Sequence, residues 1–146
     1  MWADPKVVRH IGGKPFDEQQ VWSKILAYAG HWALNGYGLW AVEERETGRL
    51  VGELGFADFR RKIKPTLGSA PEAGWVFASA AHGKGYATEA LKAALRWADR
   101  RFRRTVCIID PGNAASARVA EKCGFKMLRR AKYRGEPTVV YSRPRA

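Results

Sequence analysis

Apolar residues recur along this chain at helical spacing in some segments and in short continuous runs in others. Asp17 and Gln20 have the spacing of a capping box and predict the start of a helix that ends near Asn35 and Gly36. Its periodic positions are Val21, Trp22, Ile25, Leu26, Ala29 and Trp32. A second amphipathic helix is predicted from about Gly83 to Arg100, with periodic positions Ala87, Ala90, Leu91, Ala94, Leu95 and Ala98.

Strands are predicted in the intervals around these helices. Leu39 to Glu43 and Leu50 to Phe59 should form a hairpin, because Glu46-Thr47-Gly48 between them favours a turn. Residues 60–70 are polar, contain Pro65 and Gly68, and predict a loop. Further strands are predicted at Glu72 to Ala78, Thr105 to Asp110, Phe125 to Arg130 and Pro137 to Ser142, with a short helix from Asn113 to Gly124.

The order of these elements indicates the fold class. Strand 72–78, helix 83–100 and strand 105–110 form a crossover unit, which makes its two strands parallel. The other strands are joined by hairpin-like links and should be antiparallel. We therefore expect an α/β fold with a mixed, mostly antiparallel sheet, one parallel pair and flanking helices, in a single domain over residues 1–146.

Charge and composition limit the classes of binding partner that the chain is expected to have. The chain has 26 Lys and Arg against 14 Asp and Glu, a formal charge of +12, which suits a phosphate-rich cofactor, an acidic substrate, nucleic acid or simply a solvated basic surface. Hydrophobic residues make up 46%, which argues against disorder. No apolar run is long enough to span a membrane, and the first residues lack the layout of a secretory signal. Cys107 and Cys123 form neither a disulfide framework nor a metal-ligand pattern. We expect a cytoplasmic protein without a metal site or a membrane partner.

A glycine turn at the start of the second long helix carries the clearest chemistry. It consists of His82, Gly83, Lys84, Gly85, Tyr86, Ala87 and Thr88. Glycine lets the backbone approach a ligand closely, and a helix N-terminus offers unpaired N–H groups and a partial positive charge to phosphate. Lys84 adds a cation. The spacing matches neither the Walker nor the dinucleotide pattern, so a plain tight turn is the alternative to a pyrophosphate site.

A second motif follows the strand predicted at residues 105–110. Asn113-Ala-Ala-Ser-Ala-Arg-Val-Ala-Glu-Lys-Cys-Gly-Phe125 alone predicts a capped helix that stops at Gly124. With the glycine turn before it, this segment resembles the GNAT acetyltransferase superfamily. The strand Pro71-Glu-Ala-Gly-Trp-Val76 resembles the branch of ribosomal-protein N-terminal acetyltransferases and their small-molecule relatives. The resemblance extends over most of the chain.

The resemblance implies an N-acetyltransferase that takes acetyl-CoA as acyl donor and transfers the acetyl group to a primary amine. It implies a sheet splayed open between strands 72–78 and 105–110, where pantetheine bonds to the backbone of Trp75, Val76 and Phe77. The pyrophosphate would lie on residues 82–87, with Thr88 also contacting the cofactor, and Asn113 and Ser116 would lie near the pantetheine and the thioester.

Catalytic residues are less clearly marked. Glu72 is our candidate base, because its strand would direct a carboxylate toward the acceptor; a surface salt bridge is the alternative. Many family members carry a Tyr acid seven residues after the Asn, where this chain has Ala120. Since a thiol has a pKa of about 8.5, its thiolate leaves without much help, and Ser116 or a water could protonate it.

Two further expectations concern the start of the chain and the packing of aromatic residues. Family members usually carry a strand and a helix before the segment that stands here at Asp4 to Ile11. The domain is thus N-terminally short and its first edge strand is missing, so that a longer natural chain, a partner or a homodimer would cover the edge. The tryptophans at positions 22, 32, 40 and 97 are predicted to be mostly core.

Two other functions remain open from the sequence. One is a domain of this fold that binds CoA without turnover, which Ala120 and the short N-terminus suggest. The other is a basic module that associates with the ribosome or RNA; the charge favours it, but regularly placed stacking aromatics are not evident, so we expect no nucleic-acid partner. The amine acceptor is not indicated by any motif.

Overall fold

Four helices and seven strands build the protein, and the computed structural model describes all residues from Met1 to Ala146. The helices are α1 (Pro5–Val8), α2 (Glu18–Asn35), α3 (Tyr86–Ala98) and α4 (Ala114–Lys122). The strands are β1 (Leu39–Glu43), β2 (Leu50–Ala57), β3 (Ile63–Lys64), β4 (Glu72–Phe77), β5 (Arg104–Ile109), β6 (Lys126–Tyr133) and β7 (Glu136–Pro144). A short 3-10 turn, Ser79–Ala81, follows β4.

All strands join one sheet in the order β1-β2-β4-β5-β7-β6-β3. Every neighbouring pair is antiparallel except β4 and β5, which are parallel. This confirms the predicted α/β class with one parallel pair. The strand β1 forms one edge of the sheet and pairs only with β2. None of the helices combines the length and the apolar character that crossing a membrane requires.

The region predicted as a loop at residues 60–70 differs from the expectation. Ile63 and Lys64 form the edge strand β3, which pairs with Tyr133 and Lys132 of β6. Ile63 is buried at 4% exposure, so one apolar side chain anchors the strand. A two-residue strand is too short to show a period in sequence, and only its pairing with β6 defines it.

The hydrophobic core lies between α3, α4 and one face of the sheet. Strand β2 supplies Leu54 and Phe56, and α3 supplies Leu91 and Leu95, because these positions repeat at the periods of a strand and a helix. The other members of the cluster are Ala73, Phe77, Ala81, Ala94, Ala98, Cys107, Ile109, Ala120, Cys123, Phe125, Val139 and Tyr141. The core thus fixes β4, α3 and β5, the three elements of the crossover unit, against one another.

Helix α2 begins and ends where the sequence predicts but turns an unexpected side to the protein. The Asp17–Gln20 capping box is present, and Gly36 ends the helix in the left-handed region at φ 69°. Tyr28 donates a hydrogen bond to Glu53 on the sheet. Trp22 is 58% exposed, so its prediction as a core residue is wrong.

The other three tryptophans meet at the end of the sheet near β1. The rings of Trp32, Trp40 and Trp97 pack edge to face, with centroid distances of 5.0 to 6.3 Å. Trp97 also stacks on Phe56 at 6.0 Å. All three are half-buried and pack against the main core. Their expected packing role is confirmed, because this cluster attaches α2 to α3 around the sheet edge.

Gly55 and Gly74 provide a matched pair for testing the packing of the sheet. They lie opposite each other on β2 and β4. A Cβ on Gly55 would collide with Gly38 and would lie 2.6 Å from the Leu39 Cα, whereas a Cβ on Gly74 would meet no atom within 4 Å.

We expect Gly55→Ala to lower the free energy of unfolding by at least about 2 kcal/mol, because backbone atoms must move to admit the methyl group. Gly74→Ala should change it by less than about 1 kcal/mol. Urea unfolding of the two variants beside the parent protein makes the comparison. Equal losses would contradict the tight contact between β1 and β2.

Candidate active site

The site begins where β4 and β5 diverge. The two strands share one bridge, Glu72 to Val106, where the Val106 N–H donates to the Pro71 carbonyl at 3.1 Å. Beyond this bridge no backbone bond joins them. The carboxyl-terminal half of β4 therefore presents backbone groups to a gap instead of to a neighbouring strand.

The backbone groups that face the gap belong to Trp75 and Phe77. The Ala78 N–H donates to the Val51 carbonyl on β2 at 2.9 Å, so alternate residues of β4 bond to β2. By this alternation Val76 bonds to β2 through its partner Glu53. The structure thus differs from the expectation that the backbone of Val76 would be free for a ligand.

His82 forms a hydrogen bond with the backbone of β4. Its Nε2 lies 2.9 Å from the Phe77 carbonyl oxygen, a hydrogen bond that requires the proton on Nε2. The imidazole therefore occupies one of the backbone groups at the mouth of the gap. A phosphate contact from His82 would have to come from the other ring nitrogen or from the backbone.

The glycine turn and the start of α3 form an open anion site at the mouth of the gap. Gly83 and Gly85 have φ of 76° and 82°, and a Cβ on either would meet no atom within 4 Å. Gly85 is the N-cap of α3 and supplies no side-chain bond. The first free N–H groups of the helix, which have no acceptor in the chain, are those of Tyr86, Ala87 and Thr88. This geometry fits a phosphate group.

Two side chains at this turn carry charge or a hydroxyl. Lys84 is exposed and adds a cation beside the free N–H groups. The Tyr86 hydroxyl donates to Glu44, directly after β1; the hydrogen bond from Thr47 and, after it, this bond from Tyr86 lower the pKa of Glu44. Tyr86 therefore offers its backbone rather than its hydroxyl to an anion.

Helix α4 starts beyond the carboxyl end of β5, on the other side of the gap. Asn113 is its N-cap, and its Oδ1 accepts from the Ser116 N–H at 3.1 Å. The Ser116 hydroxyl makes no hydrogen bond within the chain and remains available as a donor. Ala120 is fully buried at 0% exposure, so this position belongs to the core and offers no polar group.

Glu72 and Arg61 form a buried ion pair where the strands diverge. The Glu72 side chain is 8% exposed and that of Arg61 is 22% exposed. The Arg61 Nε donates to both carboxylate oxygens, at 2.7 and 3.0 Å. Burial raises the pKa of Glu72, although the hydrogen bond and charge of Arg61 act in the opposite direction. The pair therefore combines an elevated basicity with a nearby cation that keeps the carboxylate ionised.

An open space lies next to this pair on the same face of the sheet. Glu72, Gly74 and Val76 alternate onto the face that carries α2, and the space above Gly74 is free of atoms within 4 Å. Glu53 stands opposite Val76, where it accepts hydrogen bonds from Trp2 at 3.1 Å and from Tyr28. The carboxylates of Glu53 and Glu72 therefore lie on either side of the open space above Gly74.

Some residues of this face could not be found from the sequence. Arg61 falls in the segment predicted as a loop, and a single Arg in a basic chain carries no motif. Glu53, Tyr28 and Trp2 come from three separated segments. The alternation of β2 is the one signal that could have placed Glu53 on the same face as Glu72, but it requires the pairing register.

A basic groove lies away from the gap, at the edge formed by β3 and β6. Its volume is about 850 Å³ and its lining residues are Lys62, Ile63, Lys64, Arg130, Ala131, Lys132, Arg134 and Gly135. Lys64 stands directly opposite Lys132 in the register. Part of the excess positive charge is thus concentrated here rather than at the glycine turn.

Comparison with known proteins gives consistent matches. The family model described as an acetyltransferase (GNAT) domain matches residues 1–126. The Bacillus subtilis protein YkkB, which is uncharacterised, is 37% identical over 112 residues that cover 74% of this chain and 63% of YkkB. The match thus spans less than two thirds of that relative's length.

Solved structures show the same architecture. A GNAT-family acetyltransferase from Bordetella pertussis is 31% identical with a TM-score of 0.83, over 95% of this chain and 84% of that chain. The structure of AAC(6')-Ib with paromomycin and acetyl-CoA is 17% identical with a TM-score of 0.78, over 99% of this chain and 84% of that chain. At the lower identity the likeness concerns the fold alone.

The Arg61–Glu72 pair makes a pH-dependent prediction for stability. Arg61→Met leaves a buried carboxylate without its cation and should cost about 3 kcal/mol at neutral pH. The pKa of Glu72 in the folded variant then rises further above its unfolded value. Stability is therefore lost as pH rises through that range and regained on mild acidification.

Urea unfolding at neutral and mildly acidic pH measures this change. The double variant Arg61→Met/Glu72→Gln should recover most of the loss at neutral pH. Arg60→Met is the matched control: Arg60 pairs with Asp58 on the surface at 3.2 Å and should contribute less than about 0.5 kcal/mol. A loss for Arg61→Met that does not vary with pH would argue against an uncompensated Glu72.

Proposed function

The chain belongs to the GNAT acetyltransferase family, and we propose that it transfers the acetyl group of acetyl-CoA to a primary amine of a protein N-terminus or a small molecule. The observation that carries the proposal is the gap between β4 and β5 with an open anion site at its mouth. Within the family we propose the ribosomal-protein N-terminal acetyltransferase-like branch, on the strand that contains Glu72 and Gly74.

The donor substrate would be held along this gap. Its phosphates would accept hydrogen bonds from the free N–H groups of Tyr86, Ala87 and Thr88, with Gly83 and Gly85 leaving room and Lys84 adding charge. The pantetheine would bond to the backbone of Trp75 and to the N–H side of Phe77, whose carbonyl already accepts from His82. Val76 and His82 would contribute side-chain contacts at the edge of this path. Asn113 would line the opposite wall as the N-cap of α4.

Transfer requires a neutral amine. Its nitrogen forms a bond to the acyl carbon, the carbon–sulfur bond breaks, and the sulfur leaves as a thiolate that takes up a proton. We propose that Glu72 accepts the proton from the amine, directly or through a water, because burial raises its basicity. The N–H of Phe77 would stabilise the developing oxyanion. The free Ser116 hydroxyl is our candidate for protonating the thiolate.

The position of Ala120 supports a reaction without a strong acid on α4. Its full burial without a polar group leaves Ser116, which is half-buried one turn earlier on the same face, as the only hydroxyl of this helix. A thiolate with a pKa of about 8.5 is a good leaving group and needs little assistance. The reaction can therefore proceed with Glu72 as the main proton acceptor.

We propose that the protein is cytoplasmic, where the free thiols of Cys107 and Cys123 stay reduced. We also propose that it forms a homodimer, because the edge strand β1 is open and Trp22, Ile25 and Leu26 are at least half exposed on α2.

An RNA-associated role is the second candidate function. The basic groove beside β3 favours it, because its cationic side chains could contact phosphates.

If acetyl-CoA binds at the glycine turn, it should stabilise the folded protein against heat. Acetyl-CoA should raise the Tm of the parent protein by site binding. Gly85→Val should abolish most of this shift, because its side chain enters the open space at the helix start. Gly48→Val is the control: Gly48 also has a positive φ and open surroundings but lies in the β1–β2 turn. Absence of any shift at saturating acetyl-CoA would contradict the proposal.

If Glu72 is the base, its replacement should lower the rate of acetyl transfer. Glu72→Gln should lower kcat by about 100-fold or more while the acetyl-CoA shift in Tm is retained. In the parent protein the rate should fall as pH drops through the raised pKa of Glu72, since the base must be ionised. This acidic limb should be missing in the variant. Thiol release across a panel of amines measures both, with the exposed Glu121→Gln as control; unchanged turnover would remove Glu72 from the mechanism.

A further inference from the structure

Arg61 uses only one of its three guanidinium nitrogens in a hydrogen bond. Nε donates to both oxygens of Glu72, and neither Nη1 nor Nη2 bonds to any residue of the chain. Burial lowers the pKa of Arg61, but Glu72 and, to a smaller extent, the nearby Tyr133 hydroxyl raise it above its usual value; no well-aligned hydrogen bond joins Arg61 to Tyr133. A structural Arg–carboxylate pair commonly uses two nitrogens in parallel. Here the forked end of the guanidinium is left free.

Two aromatic rings hold this guanidinium in place. Its Cζ lies 4.6 Å from the ring centroid of Phe59 and 4.8 Å from that of Tyr133. Both distances are within the range of a cation–π contact. The plane and position of the fork are therefore set before any ligand arrives, which lowers the entropy lost on binding. At 22% exposure the side chain is still accessible from solvent.

The fork lies beside the place where the acceptor must bind. Glu72 is the residue at which β4 and β5 diverge, and Gly74 next to it on the same face leaves open space. Successive residues on one face of a strand are about 6.7 Å apart. A small amine above Gly74 would therefore bring its substituents within reach of the Arg61 fork.

We propose that the two Nη groups of Arg61 bind a carboxylate of the acceptor, so that the preferred acceptor is a primary amine that carries a carboxylate. This inference rests on the proposed acetyl transfer. The planar fork matches a carboxylate with two parallel hydrogen bonds. The net charge of +12 on the whole chain also disfavours acceptors that are themselves polycations.

The test compares acceptors that differ only in the carboxylate. A series of ω-amino acids and the alkylamines of the same length present the same amine with and without the anion. We expect the parent protein to use the amino acids with kcat/KM at least about 10-fold higher, at a chain length that reports the distance between the fork and the thioester. Thiol release at saturating acetyl-CoA measures both series.

Substitutions of Arg61 and Arg60 test whether the preference for acceptors with a carboxylate depends on the Arg61 fork. Arg61→Lys keeps the charge but loses the fork, and should lower kcat/KM for the amino acids about 10- to 100-fold, mainly through KM. Its kcat/KM for alkylamines should fall by a smaller factor, because the lysine ammonium still lies beside Glu72, so the ratio of the two kcat/KM values is the quantity that reports the fork. Arg60→Lys, at the neighbouring exposed position, should alter neither series. An equal loss on both series would show a merely structural role and overturn the inference.

A second measurement uses only the parent protein. Carboxylic acids that lack the amine should inhibit competitively against the amino acids, and alkanes or alcohols of the same length should not. Equal use of alkylamines and amino acids, or no inhibition by the acids, overturns the role of Arg61 while acetyl transfer stands. Binding of acetyl-CoA without thiol release for any acceptor instead overturns the proposed function.

Discussion

The single bridge between β4 and β5 is the constraint on which the rest of the structure depends. After Glu72 and Val106 the strands separate, and the backbone of Trp75 and Phe77 loses the partner that a continuous sheet would supply. Unpaired backbone groups inside a protein are costly unless a ligand or water satisfies them. The core on the other face packs β4, α3 and β5 against one another. The same packing places the open helix start of α3 at the mouth of the gap.

The two sides of this gap follow different physical rules. The side that we propose for the donor consists of backbone N–H groups, left-handed glycines and one lysine, and so depends little on side-chain identity. The side that we propose for the acceptor consists of side chains from distant segments: Arg61 from the segment before β3, Glu72 from β4 and Tyr133 from β6. A buried ion pair contributes little net stability compared with an apolar pair of similar size. Its position where the strands diverge, with the free end of Arg61 accessible, is therefore better explained by binding than by stability.

Sequence patterns succeeded where one local rule was enough. The capping box at Asp17 and the left-handed Gly36 bound α2 as predicted, and the Gly83–Gly85 turn lies at the start of α3. They failed where strand pairing or a contact between distant segments determines a residue's structure or burial. Ile63 belongs to a strand because Tyr133 pairs with it, and Trp22 is exposed because α2 turns Tyr28 toward Glu53 instead. The pantetheine was expected to bond to the backbone around Trp75, Val76 and Phe77, and the register of Val76 with Glu53 leaves Trp75 and Phe77 as the residues whose backbone faces the gap.

The sequence by itself determined the α/β class, the crossover unit, the glycine turn and the family resemblance. Each of these is written in contiguous residues whose period, caps or spacing act over a few positions. Only the tertiary structure decided which backbone groups face the gap, that Glu72 is buried against Arg61, and that Gly74 is open while Gly55 is filled. These features arise from register and from contacts between segments far apart in the chain. A one-residue change of register would move every side chain of a strand to the other face, and no local pattern encodes that choice for the acceptor side.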